Sequence, residues 1–189
     1  MTQRIGRDGP ARAVAQAALR RLEAGLPLDH AGVAREAETD PAMVRAVFPT
    51  EAALRCAVSE LGFEALSTCF AHVSAARGDA ARLRAAGRAY VRFALARPTL
   101  FLTMFDPALA PYRPEEEEDV DRLVLEIVAD AAWLPADSEA ARRMMVRVWA
   151  PVHGYAMLCL SGALRDPAPS DALLDDMLDL GLRAVGQAA

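Results

Sequence analysis

The chain contains no lysine and no asparagine; all 21 of its basic side chains are arginines, which together with abundant alanine points to a genome rich in G and C. Cysteine is scarce as well. Cys56, Cys69 and Cys159 lie far apart without C-x-x-C spacing, which argues against a zinc site on paired cysteines and against a disulfide framework. Reduced intracellular thiols are expected, and no cofactor is implied. No basic, apolar, small-residue segment opens the chain, so no secretion signal is expected and a cytoplasmic location follows. Catalytic signatures are missing too: G-x-S-x-G, H-E-x-x-H and a phosphate loop do not occur, and no cluster of histidine and carboxylate stands out, so an enzyme is not expected. Val148 to Leu164 carries no formal charge, yet it is short for a membrane span and is interrupted by Pro151, His153 and Gly154 between Arg147 and Arg165. It reads as a buried helix at a subunit contact, and no membrane partner is expected.

What is present is helix-forming and oily. Of 189 residues, 53% are apolar, high for a monomer that must cover itself with polar side chains, so an apolar subunit interface is expected. The net charge of -5 is unevenly spread: residues 1–60 carry eight arginines and eight carboxylates, and the rest thirteen and eighteen, giving a neutral head and an acidic body. That gradient runs the right way for a nucleic-acid-binding head, although a neutral head has little with which to neutralise phosphates.

Proline and glycine divide the sequence into blocks rich in Ala, Leu, Arg and Glu, none of which alternates like a strand, so the fold class is all-α. Ala11 to Ala24 places Val14, Ala18, Leu19 and Leu22 on one face and stops at Gly25. A short helix capped by Asp29 runs to about Ala37, and another starts with Asp40 as cap and Pro41 at the first helical position. Two short helices so close together make a helix-turn-helix candidate. Thr50 caps a longer helix carrying Leu54, Val58, Leu61 and Leu66 toward Ala76, and Asp79 to Arg97 follows with Leu83, Tyr90, Val91 and Ala94 inward. Pro98 to Phe105 reads as an aromatic turn, Pro111 to Pro114 as a loop, and Glu115 to Asp119 as an acidic helix start. The last two helices span Ser138 to Leu164 and Ser170 to Gly186, with the second repeating Leu173, Leu174, Met177, Leu178, Gly181, Leu182 and Val185 as an apolar stripe that needs a partner.

The segment VAREAETDPAMVRAVFPTEAAL, Val33 to Leu54, resembles the head of the TetR family of transcriptional regulators, whose pattern is roughly I-A-x-x-A-G-V-S-x-x-x-L-Y-x-x-F-x-S-K-E-x-L. Val33, Ala34, Ala37, Val44, Phe48, Thr50 and Leu54 keep its structural positions. At the positions nearer DNA the chain departs: Glu38 stands for the glycine, Thr39 for the valine, Asp40 for the serine, Arg45 for the tyrosine and Glu51 for the lysine. In VWAPVHGYAML, Trp149, His153 and Gly154 are similar to the tryptophan-histidine-glycine body of one TetR branch, and Pro98 to Phe105 resembles the short helix that precedes it.

The resemblance implies a three-helix head over residues 1–50, a larger ligand-binding and dimerising body over 51–189, and about nine helices in total. It implies a homodimeric, ligand-responsive repressor that binds palindromic operator DNA and a small apolar ligand; the alternative is a relative that keeps dimer and pocket but binds DNA weakly or not at all. The DNA-facing candidates are Arg4, Arg7, Arg12, Thr39, Ala42, Met43 and Arg45. Arg45 can read guanine, grip phosphate or simply lie in solvent, and Met43 can touch a thymine methyl. Pocket candidates are Phe93, Phe101, Met104, Phe105, Trp149, His153, Tyr155 and Met157, each equally at home in an ordinary core. His153 lies one turn after Trp149 and reads first as a hydrogen-bonded core residue, while Pro151 between them is expected to kink the helix and free a carbonyl. The stripe from Leu173 to Val185 is the candidate dimer interface.

Overall fold

The computed structural model describes residues 9–73, 80–112, 118–164 and 170–183. Among them the chain is all-helical, with α1 (Pro10–Glu23), α2 (His30–Glu36), α3 (Pro41–Val47), α4 (Glu51–Ala71), α5 (Ala80–Ala96), α6 (Pro98–Met104), a 3₁₀ segment (Pro107–Tyr112), α7 (Glu118–Ala132), α8 (Glu139–Leu160) and α9 (Asp171–Arg183).

Local chemistry sets the helix ends. The Asp29 carboxylate accepts from Gly32 N–H at 2.7 Å, Asp40 from Ala42 N–H at 2.7 Å, Thr50 from Ala53 N–H at 3.1 Å and Ser138 from Ala141 N–H at 3.1 Å, each satisfying an amide that has no partner within its helix. Termination follows a shared geometry. After α1, α2, α7 and α8 one residue turns left-handed (Gly25 φ 67°, Glu38 φ 52°, Trp133 φ 55°, Gly162 φ 70°), and the next residue's amide reaches back five positions to a carbonyl of the last turn. At two of these ends the left-handed residue carries a side chain, which costs what glycine avoids.

Three sequence expectations shift. The Pro98 to Phe105 turn is a helix, with Pro98 at its first position and Leu100, Phe101, Thr103 and Met104 buried. The long helix expected to reach Ala76 ends at Ala71, and the one expected to reach Leu164 ends at Leu160, because Gly162 takes the left-handed turn. α8 also continues unbroken through Pro151.

The described residues fall into two compact units. Residues 1–65 and 97–117 form the first, and residues 66–96 and 118–189 the second, so α4 contributes to both. The first unit therefore extends well beyond residue 50. In it α1, α2 and α3 bury Val14, Ala18, Val33, Val44 and Phe48, and α6 closes on the first part of α4 where Gly62 leaves room for the Met104 side chain. Phe105 meets Phe63 edge-on at 5.7 Å and Phe101 at 4.9 Å. The second unit packs α5, α7, α8 and α9, with Leu83, Tyr90, Val91 and Ala94 of α5 buried as their spacing predicts. Arg84, Arg88 and Arg92 pair in order with Asp179, Asp175 and Asp171, a ladder in which both partners recur every four residues along antiparallel α5 and α9. No helix among the described residues is long and apolar enough to cross a membrane.

Candidate functional site

In the first unit α2 and α3 form a helix-turn-helix. The turn Ala37–Asp40 carries Glu38 in the left-handed region, the position where the family pattern has glycine. His30 Nε2 lies 2.7 Å from the Phe48 carbonyl, tying the start of α2 to the end of α3. Gly32 leaves space for the Arg21 guanidinium, which donates to the Pro27 carbonyl at 2.9 Å and to Asp29 at 3.2 Å. The Gly32 amide and neighbouring Arg21 hold the Asp29 carboxyl below its ordinary pKa.

Of α3 only Val44 is buried; Ala42, Met43, Arg45, Ala46 and Val47 are exposed, and Thr39 is half-buried. The unit's arginines are mostly committed within it: Arg12 to Glu64 at 2.7 Å, Arg20 to Glu36 at 2.8 Å, Arg21 to Asp29, Arg55 to Glu51 at 2.9 Å and Arg97 to Glu23 at 3.1 Å. Among the described residues Arg35 and Arg45, both exposed, form no ion pair, although the Arg35 charge also helps to hold the Asp29 carboxyl low. Arg12 is thus tied down, and Arg4 and Arg7 lie outside the described residues.

In the second unit a cavity of about 40 Å³ lies between α5, α7, α8 and α9, walled by Leu83, Gly87, Val128, Val152 and Leu178, with Trp149 at 37% exposure on its rim. Its polar groups pair with one another. The Tyr90 hydroxyl lies 2.7 Å from His153 Nδ1, with the Trp149 indole beside the pair. Burial pushes the Tyr90 pKa up and the His153 pKa down, so at neutral pH a neutral phenol and a neutral imidazole share this hydrogen bond, its direction set by the imidazole tautomer. The rings also meet, Trp149 tilted against His153 at 4.9 Å and Phe70 stacked on Tyr90 at 6.5 Å. A ligand entering here meets carbon almost everywhere.

Of the pocket candidates, Trp149 lines this cavity and His153 reaches it through Tyr90. Phe101 and Met104 belong to the core of the first unit instead, because Pro98 starts a helix that buries them there, and half-buried Phe105, at the end of that helix, packs on Phe63 and Phe101 in the same unit. Phe93 is buried in α5, Met157 is half-buried, and Tyr155 is buried with its hydroxyl accepting from Ser170 N–H at 3.0 Å; none of the three lines the cavity. Sequence reasoning took Tyr90 for plain core, since its partner is 63 residues away.

The candidate interface stripe divides. Leu174 and Leu178 are each 1% exposed within the chain's own fold, and Gly181 faces Val148 and the Arg147 carbonyl, the one that Pro151 leaves without its helical donor. Leu174 and Leu178 therefore face the chain's own core and leave no surface for a subunit contact. Leu173 stays exposed, Met177 and Leu182 are half-buried, and Val185 lies outside the described residues. The outward edge of α9 also carries Leu180, 72% exposed.

A helix-turn-helix in one helical unit and a partly open apolar cavity in the other place the chain in the class of all-helical helix-turn-helix proteins. Residues 83–180, just over half of the chain, match the family model described as the tetracyclin repressor-like C-terminal domain, and the chain belongs to that TetR family of transcription regulators. Among solved structures it is similar to a protein of unknown function from Rhodococcus sp. RHA1, with 27% identity, TM-score 0.67, and 97% of this chain and 98% of that one covered. It shares its fold with a TetR family transcription regulator from Marinobacter aquaeolei VT8, at 17% identity and TM-score 0.57, covering 93% and 95% of the two chains. No curated protein matches the chain.

Proposed function

We propose that this TetR family member is a cytoplasmic, homodimeric repressor of the tryptophan-histidine-glycine branch that binds palindromic operator DNA and releases it when a small apolar ligand enters the body. In functional terms residues 1–50 act as the DNA-binding head and 51–189 as the sensing and dimerising body. The observation that carries the DNA reading is the capped α2–α3 pair, on which Arg35 and Arg45 form no ion pair among the described residues while the unit's other described arginines each pair with a carboxylate. Such charges can fix a head on phosphates.

Dimerisation is supported by the apolar groups left outward on α8 and α9: Val146 at 56%, Leu158 at 47%, Leu173 at 48% and Leu180 at 72% exposure. Two heads about one helical turn of DNA apart read a palindrome together, and a ligand that fits only an arrangement unable to span both half-sites shifts the population off DNA. The cavity, with its polar groups already paired, favours an uncharged apolar ligand.

The test is a gel shift with the DNA flanking the protein's own gene across a salt series. With Arg35 and Arg45 of two copies engaged, log affinity falls against log salt with a slope of about -4. A second reading, a relative that keeps dimer and cavity with its DNA grip weakened or lost, is favoured by the internal pairing of Arg12, Arg20, Arg21 and Arg55. Under that reading no salt-dependent shift occurs until Glu51→Lys adds a cation. A monomer at micromolar concentration in analytical ultracentrifugation refutes the dimer.

A further inference from the structure

α3 presents an unusual surface for a helix meant to read bases. Its exposed positions are Pro41, Ala42, Met43, Arg45, Ala46 and Val47, with Met43 at 48% and Val47 at 45% exposure. At 100° per residue, Ala42 and Ala46 fall opposite the buried Val44, with Met43 and then Val47 continuing the apolar arc on one flank and Arg45 standing on the other. No serine, threonine, asparagine, glutamine or lysine occurs on the helix, so Arg45 is the one side chain on it able to hydrogen-bond a base edge.

The edges of the major groove present almost nothing but donors and acceptors. The apolar exception is the methyl on C5 of thymine. An apolar arc laid against the edges of G·C pairs removes water from polar atoms and returns no hydrogen bond, whereas against thymine methyls it buries carbon on carbon. Met43, unbranched and polarisable, follows a methyl whose position varies from step to step. The helix-turn-helix geometry selects DNA as the occupant of this face. Arg35 and Arg45, on α2 and α3, form no ion pair among the described residues and stand against the exposed carboxylates of Glu38 and Asp40 in the turn, while carboxylates neutralise Arg12, Arg20, Arg21, Arg55 and Arg97.

Resting on the reading of the chain as a DNA-binding regulator, we infer that α3 chooses its operator by pyrimidine C5-methyl groups, through Met43, Ala46 and Val47, with Arg45 supplying a single polar contact. The ligand chemistry is the methyl itself, so 5-methylcytosine can stand in for thymine.

The experiment starts with selection of random duplexes on the full-length protein at low salt, followed by affinities for the selected site measured by fluorescence anisotropy. Each thymine facing α3 is replaced by uracil, which removes only the methyl. The expected loss is about fourfold per methyl, from about 0.8 kcal/mol for one buried carbon. At C·G steps in the same register, 5-methylcytosine binds tighter than cytosine by a similar factor. Met43→Ala lowers affinity and brings the thymine-to-uracil ratio at its step toward one, a readout that a general loss of head stability does not move. A ratio near one at every step, or Met43→Glu binding DNA as tightly as the parent chain, overturns methyl reading while leaving DNA binding in place. If selection enriches no sequence and no salt-dependent binding is seen, the DNA-binding reading itself falls, and this inference with it.

Discussion

Replacing Leu178 and Gly87 by alanine, singly and together, tests whether α9 walls the cavity as described. Leu178 is 1% exposed, and a Cβ added to Gly87 would lie 2.8 Å from its Cδ1 and 3.7 Å from its Cδ2 and Cγ. Leu178→Ala removes buried carbon beside a void that already exists, so the walls have little with which to refill the space; the expected cost is about 3 kcal/mol. For a chain of this length that lowers Tm by about 6–12 °C. Gly87→Ala alone sets a helix-propensity gain of about 1 kcal/mol against an approach that forces Leu178 to turn, at about 1–3 kcal/mol. The single variant is therefore neutral or destabilised by up to about 2 kcal/mol. In the Leu178→Ala background the obstructing carbons are gone. The new methyl then keeps the propensity gain and buries itself, recovering about 1–2 kcal/mol. The assay is urea unfolding followed by circular dichroism, with all four proteins at one concentration because assembly would shift the midpoints. If Gly87→Ala has the same effect in both backgrounds to within about 0.5 kcal/mol, the two residues are not in contact and the cavity wall is wrongly assigned.

Further outcomes follow from the same geometry. Glu38→Gly stabilises the head by about 0.5–1 kcal/mol, since release from a left-handed backbone costing about 1–2 kcal/mol exceeds glycine's extra unfolded-state entropy; an unchanged or lower urea midpoint contradicts the turn geometry. Breaking the middle rung of the α5–α9 ladder by Asp175→Ala costs no more than about 1 kcal/mol, because both partners are partly solvated, and the loss shrinks in 1 M salt. Exchanging the charges, Arg88→Asp with Asp175→Arg, restores most of it. Burial lowers the His153 pKa, so the folded state holds fewer protons on it than the unfolded chain. Its contribution is fully present above the unfolded value of about 6.5 and is lost as pH falls from there through the lowered folded value. Urea midpoints measured from pH 8 to pH 5 should show this slope, and His153→Gln should flatten it.

The helix-turn-helix was legible because its determinants are local. Asp29 and Asp40 stand within three residues of the amides they cap, and Gly25 stops α1 without help from elsewhere. The 3.6-residue spacing likewise identified Leu83, Tyr90, Val91 and Ala94 as the inner face of α5. Punctuation alone made Pro98 to Phe105 read as a turn, giving too much weight to its bounding prolines, whereas its resemblance to the family's short helix agreed with α6. A proline at the first position of a helix costs nothing. The site was harder to read. Aromatic and methionine residues line cores and cavities alike, so composition could not divide Phe101 and Met104, which fill the first unit, from Trp149, which borders the cavity.

From the order of residues alone came the helical class, most helix boundaries and the two-helix motif, since each depends on atoms a few positions apart along the chain. Tertiary structure alone decided which arginines are paired with carboxylates and which edge of α9 faces outward. Arg20 finds Glu36 sixteen residues away and Arg84 finds Asp179 across ninety-five, while Leu173 and Leu174, adjacent in the chain, end on opposite sides of a buried boundary. Charge neutralisation and burial are properties of neighbours in space, and a sequence names those neighbours only after it has folded.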